Sequence, residues 1–234
     1  MAKILKTIKE FGLAVVLALA GWAAHGQVAT NFYTFNVNQT VPANSAIGIT
    51  LSTNLTASMV SISNLLVTVD ISGGQNSDLY AYIQGPNGGM AVLVNDLGVM
   101  KHNPAGYSDA GVDVTFSDTA TNGSIHVYQD VPSYQNDLNA SGQLTGVWQP
   151  DGENIAPGSA PPKYTGAQTA MLSSFDGTNP DGTWTLFVEE VGGSGAIILN
   201  DWNLEIISVP EPSSLALGGL GGLGIFFLVR KRRD

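Results

Sequence analysis

The sequence contains no cysteine. That excludes disulfides, thiol nucleophiles and cysteine-based metal sites together. Positive charge is scarce as well: 9 Lys+Arg stand against 19 Asp+Glu. Lys3, Lys6 and Lys9 lie at the start and Arg230, Lys231, Arg232 and Arg233 at the end, leaving Lys101 and Lys163 for the whole body. Three acids, Glu10, Glu211 and Asp234, also sit in the ends, so the body carries 16 acids (19 − 3) against 2 bases, a net of −14. Such a body lacks the basic footprint that nucleic acid requires. It also repels anionic lipid, suits solubility outside the cell, and leaves divalent cations as candidate ligands. Histidine is limited to 3 residues: His25 near the start, and His102 and His126, both expected at the surface. No GxSxG elbow and no recognisable Ser-His-Asp context is present, so the chain is expected not to be an enzyme.

The two ends differ from the middle. The start has a basic stretch (Lys3, Lys6, Lys9), then the apolar run FGLAVVLALAGWAA, then small residues. This is the plan of a secretory signal peptide over residues 1–26, with Ala24 and Gly26 placed for a cut before Gln27. An uncleaved anchor is the alternative, but an apolar core of about 14 residues is short for a span. The end reads VPEPSSLALGGLGGLGIFFLVRKRRD. Pro210-Glu211-Pro212 precedes an uncharged stretch, Ser213 to Val229, and then Arg230, Lys231, Arg232 and Arg233. As a helix the uncharged stretch rises about 26 Å, at the lower edge of what crosses the hydrocarbon core. The basic cluster stays cytoplasmic by the positive-inside rule, which places the body on the far side of the inner membrane. Both ends imply the same topology.

This three-part tail resembles the PEP-CTERM sorting signal of Gram-negative bacteria, residues 209–234 here. The resemblance implies recognition by an exosortase-type membrane protease, cleavage near Pro210-Glu211-Pro212, and delivery to the cell surface or an extracellular (biofilm) matrix. An ordinary C-terminal transmembrane anchor is the plainer alternative. Gly218 and Gly222 make a GxxxG spacing, which so glycine-rich a span produces easily by chance.

Residues 27–208, about 180 in number, suffice for one domain with a core of its own, which needs no disulfides. Two-residue periods mark half-buried strands: Val60 and Ile62, then Val67, Val69 and Ile71; Trp184, Leu186 and Val188; Trp202, Leu204 and Ile206. Clusters such as SGGQNSD, GPNGG, NPDG and GGSG separate them as turns. No long 3.6-residue period occurs. The expected class is all-β, a jelly-roll-like β-sandwich flanked by a signal peptide and a C-terminal transmembrane sorting helix. From Asn122 to Ala170, with Pro132, Pro150, Pro157, Pro161 and Pro162, long irregular loops are expected around the sandwich; a linker to a separate module is the weaker alternative.

The segments SDLYAYIQGPNGGMAVLVNDLG, VDVTFSDTA and LSSFDGTNPDGTWTLFVEEVGGSGAIILNDWNLEI follow one another in order. They resemble the P domain (P/Homo B) found behind the catalytic domain of subtilisin-like proprotein convertases and secreted bacterial proteases. Asp78-Leu79, the Gly85-Pro86-Asn87-Gly88 turn, Phe116-Ser117-Asp118, Phe175-Asp176-Gly177, Gly182-Thr183-Trp184-Thr185-Leu186, and Trp202 with Leu204 carry the likeness. VPANSAIGITLSTNL resembles the family's entry segment. The resemblance implies a jelly-roll sandwich. The family's stabilisation of a neighbouring protease cannot occur in cis, because this sequence holds no protease domain.

Trp184 and Trp202 alternate with Leu186, Val188, Leu204 and Ile206, which makes them core residues rather than sugar platforms. Tyr80 and Tyr82 share a face that either packs under a loop or lies exposed. No cofactor is required, but Ca²⁺ is the metal to consider: it takes six to eight oxygens, usually from loops. Asp78, Asp118, Asp176, Asp181 and Glu189 lie at strand ends beside turns. No EF-hand loop or Ca²⁺ repeat accompanies them, and the plainer reading is that Asp in turns accepts backbone N–H bonds. Asn38, Asn54, Asn122 and Asn139 begin N-x-S/T triplets, expected by chance in this composition. The function expected is structural or binding, toward exopolysaccharide or surface proteins. An accessory domain docking in trans onto a secreted subtilisin-like protease is the alternative, and a hydrolase with a loop-built site comes third.

Overall fold

Alternating apolar residues become strands with one buried face, and nine strands form among the described residues. They are β1 (Ala29–Val41), β2 (Ile49–Leu55), β3 (Ile62–Gly73), β4 (Leu79–Gln84) and β5 (Met90–Asn95), then β6 (Gly111–Phe116), β7 (Leu144–Trp148), β8 (Gly182–Glu190) and β9 (Ile197–Ser208). The computed structural model describes residues 28–45, 47–57, 61–156 and 164–208. The expected signal peptide, Val60, Pro157, Pro161, Pro162, Pro210-Glu211-Pro212, the apolar tail and Arg230, Lys231, Arg232 and Arg233 lie outside them.

The strands make a five-stranded sheet, in the order β1-β9-β3-β6-β7, and a four-stranded sheet, in the order β2-β8-β4-β5. One apolar cluster, drawn from both sheets, fills the space between them. The protein is therefore an all-β sandwich. Val67, Val69 and Ile71, Trp184, Leu186 and Val188, and Trp202, Leu204 and Ile206 are all buried in that core. Trp148 joins Trp184 and Trp202 there. Each indole removes roughly 200 Å² from water, worth about 5 kcal/mol before the cost of ordering the chain. Two of the N–H groups go to nearby carbonyls, Trp148 donating to Thr145 O at 2.8 Å and Trp184 to Pro180 O at 2.9 Å.

The two-residue period changes phase twice in the β3/β9 pair, and bulges account for both. In β9, Ile197 and Leu199 are odd-numbered while Trp202, Leu204 and Ile206 are even, yet all are buried. Asp70 faces Asp201 and Ile71 faces Leu199, so Asn200 is the extra residue. Its Nδ2 donates to Asp70 Oδ1 at 3.0 Å and to Ser72 Oγ at 3.2 Å, holding the bulge in place. A second irregularity, between Ile62 and Asn64, brings both Ile62 and Leu65 into the core.

The stretch from Asn122 to Ala170 corrects the expectation of loops alone. It holds two 3₁₀ turns, Ile125–Asp130 and Tyr134–Asp137, and the strand β7. In β7 only Leu144 and Trp148 are buried, so no alternation marks it in the sequence. Its pairing is tertiary: it runs parallel to β6, from Val112 opposite Leu144 to Phe116 opposite Trp148.

Two loops at one end of the sheets are pinned by a single carboxylate. Glu190, fully buried at the end of β8, accepts from Gly193 N at 2.7 Å and Ser194 N at 3.1 Å through Oε1. Its Oε2 accepts from Asn44 N at 2.6 Å. Hydrogen bonds to a buried charge are among the stronger ones, and removing the acceptor strands three N–H donors. Glu190→Ala is expected to lower the unfolding free energy by about 3 kcal/mol, measured by urea denaturation. A loss within error would show that the two loops hold without it.

Candidate functional site

Of the five carboxylates considered for Ca²⁺, Asp78, Asp118, Asp181 and Glu189 sit at strand ends, while Asp176 follows the 3₁₀ turn Leu172–Phe175, and their tasks are separate. Asp118, just after β6, accepts from Leu172 N at 3.0 Å and Ser173 N at 2.8 Å, at the start of the 3₁₀ turn Leu172–Phe175. Asp181 accepts from Ala57 N at 2.5 Å, tying the segment after β2 to the approach to β8. Asp78 ends the 3₁₀ turn Asn76–Asp78 and accepts from Ser77 Oγ at 3.4 Å. Its carboxylate lies against Gly192, where a Cβ would come within 2.2 Å, so a larger residue there would displace the Asp78 side chain. Asp176 is exposed; desolvation raises its carboxyl above the ordinary range, and the Asp118 charge adds to this. Glu189 is buried on the outer face of β8, where desolvation and then Asp96 push its carboxyl up. Asp118 and Asp176 are thus neighbours, as are Glu189 and Asp96. Among the described residues no three His, Asp or Glu side chains converge as a metal-holding group.

A different set of carboxylates does align. Asp70 on β3 stands opposite Asp113 on β6 and Asp201 on β9, a row across three strands of the five-stranded sheet. Side chains directly opposite are about 5 Å apart, where like charges repel. Asp113 is accordingly raised, by desolvation first and then by Asp70 and Asp201. Asp70 is offset by donors, Gln143 Nε2 at 2.8 Å and Asn200 Nδ2 at 3.0 Å. In sequence each of the three was readable as outward-facing, being out of phase with Val69, Val114 and Trp202. Their alignment into one row depends on strand register, which no local pattern displays.

His126 is the second correction. Expected at the surface, its side chain is 4% exposed and pairs with the fully buried Asp151, Nδ1 to Oδ2 at 2.7 Å. The other ring nitrogen faces Val99 O at 3.3 Å. A carbonyl only accepts, so Nε2 carries hydrogen, and one further proton is shared between Nδ1 and Asp151. Burial raises the Asp151 carboxyl, and the hydrogen bond from His126 opposes that rise. The ring stacks on Tyr164 with centroids 3.7 Å apart and planes 1° from parallel. Next to it, buried Glu153 accepts from Thr165 N at 2.6 Å, Thr165 Oγ1 at 2.7 Å and Ala167 N at 3.0 Å. These contacts strap the segment after β7 onto the sandwich. Asp151, far along the chain, supplies the partner that lets this histidine be buried. His102 is exposed, as expected.

A smaller aromatic group, Tyr80, Tyr82 and Phe187, gathers on the outer face of the four-stranded sheet. Tyr80 packs with Val92 under Ala170, and Tyr82 stacks on Phe187 with centroids 5.1 Å apart. Of the two placements open for this pair, packing under a loop holds for Tyr80. Burial, then Tyr82 and Glu189, hold its phenol up at about 12.

The fold and these carboxylates define an acidic two-sheet β-sandwich. Residues 208–233, beginning at the last residue of β9, match the PEP-CTERM protein-sorting motif. The chain is thus an exported, membrane-anchored precursor, processed by exosortase for the cell surface or the extracellular space. No curated protein sequence matches it. Among solved structures it is similar to the Aeromonas sobria serine protease in complex with its chaperone ORF2, at 13% identity and a TM-score of 0.45. The Aeromonas sobria serine protease crystallised by itself gives 12% identity and a TM-score of 0.43. Each likeness covers 78% of this chain, which spans only 27% of the other's length.

Asp113, Asp151, Asp176 and Glu189 all bind a proton more tightly folded than unfolded. The stability this adds is complete below the ordinary carboxylate range, about 4. It is lost as pH rises through the raised folded values. The thermal midpoint is therefore expected to fall as pH rises from about 4, the ordinary carboxylate value, toward neutrality, read by circular dichroism at constant ionic strength. A midpoint that climbs across this window would contradict the raised values.

Proposed function

We propose that the exported sandwich is a non-catalytic structural or binding module of the cell surface or extracellular matrix, meeting exopolysaccharide or surface proteins through its acidic faces. The observation that carries this reading is the sorting motif placed directly behind the last strand. Delivery outside the cell is the task for which the chain carries a dedicated segment. The use of the body's buried polar groups supports it further. Both ring nitrogens of His126 are taken up by acceptor oxygens, so neither presents a lone pair to a serine or threonine hydroxyl, as a general base must.

The second reading is an accessory domain docking in trans onto a secreted subtilisin-like protease. It is favoured by the resemblance of Asp78-Leu79, Phe175-Asp176-Gly177, Gly182-Thr183-Trp184 and Trp202 to the P domain, a jelly-roll module. Recovery of a protease in pull-downs from the secreted fraction would favour this reading over the first.

Intact-mass spectrometry on membrane, surface and medium fractions of the native host tests the primary reading. A species starting near Gln27 and ending near Pro210-Glu211-Pro212, in the surface or medium fraction, is the expected result. A mass that retains Ser213 to Asp234 in the inner membrane would leave a plain anchor instead. The module is proposed to need no cofactor, and chelation with EDTA is expected to leave its thermal midpoint unchanged. Ca²⁺ held at a hundred times its dissociation constant would add about 2.7 kcal/mol, a shift such melts readily detect.

A further inference from the structure

We propose that β1 is a self-association edge, pairing antiparallel with β1 of a second copy of this chain so that the five-stranded sheets of two molecules become continuous. β1 stands at the end of its sheet, with β9 as its neighbour; no other described strand pairs with it. It is long, Ala29–Val41, and an unpaired edge of that length is a template for another strand. Edges of this kind are normally protected by lysine, other charges or proline. Between Ala29 and Val41 there are none of these. The local irregularity is Asn38, at φ +49, close to the strand's end.

Charge selects the occupant. No Asp, Glu, Lys or Arg occurs between Glu10 and Asp70, so all 16 acids of the body lie from Asp70 onward. A second copy, itself acidic, is repelled by the rest of the body and meets no charge along β1. A basic partner is drawn instead to the Asp70–Asp113–Asp201 row. The side chains fit the same occupant. Tyr33, Phe35 and Val37 form a stripe that packs against the core yet stays only half-buried, and Phe32 on the other face is 71% exposed. Antiparallel pairing about a two-fold axis at Phe35 sets Tyr33 of each copy across from Val37 of the other. The stripe then continues across the axis on the core side of both sheets. This goes beyond the proposed surface role and does not depend on it.

The absence of cysteine makes the test direct. Thr34 and Asn36 are exposed on β1, and Thr121 is exposed in the turn after β6. Full-length T34C and T121C, purified in detergent at micromolar concentration, are treated with a short bismaleimide. Pairing holds the two Thr34→Cys thiols at an effective concentration near millimolar, so T34C is expected to form covalent dimer roughly a hundred-fold faster than T121C. Adding Asn36→Glu, which places a new carboxylate opposite position 34 of the other copy, is expected to return the rate to that of T121C. The doubly substituted chain also shows whether association through the tail, which both variants retain, accounts for the product. Equal rates for T34C and T121C, or a T34C rate indifferent to Asn36→Glu, would overturn the proposal. So would a product made only with some other protein when the reaction is repeated on cells.

Discussion

The antiparallel pairing of β3 with β9 is the constraint on which the rest of the sandwich depends. It joins Ile62–Gly73 to Ile197–Ser208, the last strand before the tail. Both strands bury their apolar faces between the two sheets, and their register decides which residues reach that core. β3 in turn carries β6, and β6 carries β7, while β9 carries β1. The bulge at Asn200 keeps this pairing compatible with the core: without an extra residue, either Ile197 and Leu199 or Trp202, Leu204 and Ile206 would point outward. The same bulge places the Asn200 amide on Asp70, softening the carboxylate row that the register creates.

The acidic residues divide into two populations with different chemistry. Glu190, Glu153, Asp118 and Asp181 work as acceptors for backbone N–H groups, replacing sheet pairing where loops leave donors unpaired. Asp113, Asp176 and Glu189 are held where desolvation and other carboxylates work against their charge. The first group closes loops onto the sandwich. In the second, Asp113 is exposed on the five-stranded sheet and Asp176 in the turn after Phe175, while Glu189 is buried.

How much could be read in advance differs from element to element. β8 and the second half of β9 were legible because each has one face in the core and keeps a strict alternation through Trp184, Leu186 and Val188 or through Trp202, Leu204 and Ile206. β7 was not, since its short sequence Leu144–Trp148 contains Gly146 and an exposed Val147, and only its neighbour β6 makes it a strand. Among the candidate residues, Asp78, Asp118, Asp181 and Glu189 stand at strand ends, while Asp176 follows a 3₁₀ turn that no local pattern announced. Glu190, which does the most for the loops, looked no different from Glu189 beside it. His126 looked like a surface residue because nothing near it in the sequence announces Asp151.

By itself, the sequence determined the class of fold, the route out of the cell and the acidic character of the body. Each of these rests on local properties: a two-residue period, a three-part tail, a count of charges. Tertiary structure alone decided which carboxylates stand in a row, which histidine is buried, where the bulges fall and which strand is left at an open edge. These follow from register and long-range pairing, in which a shift of one residue turns every side chain to the opposite face.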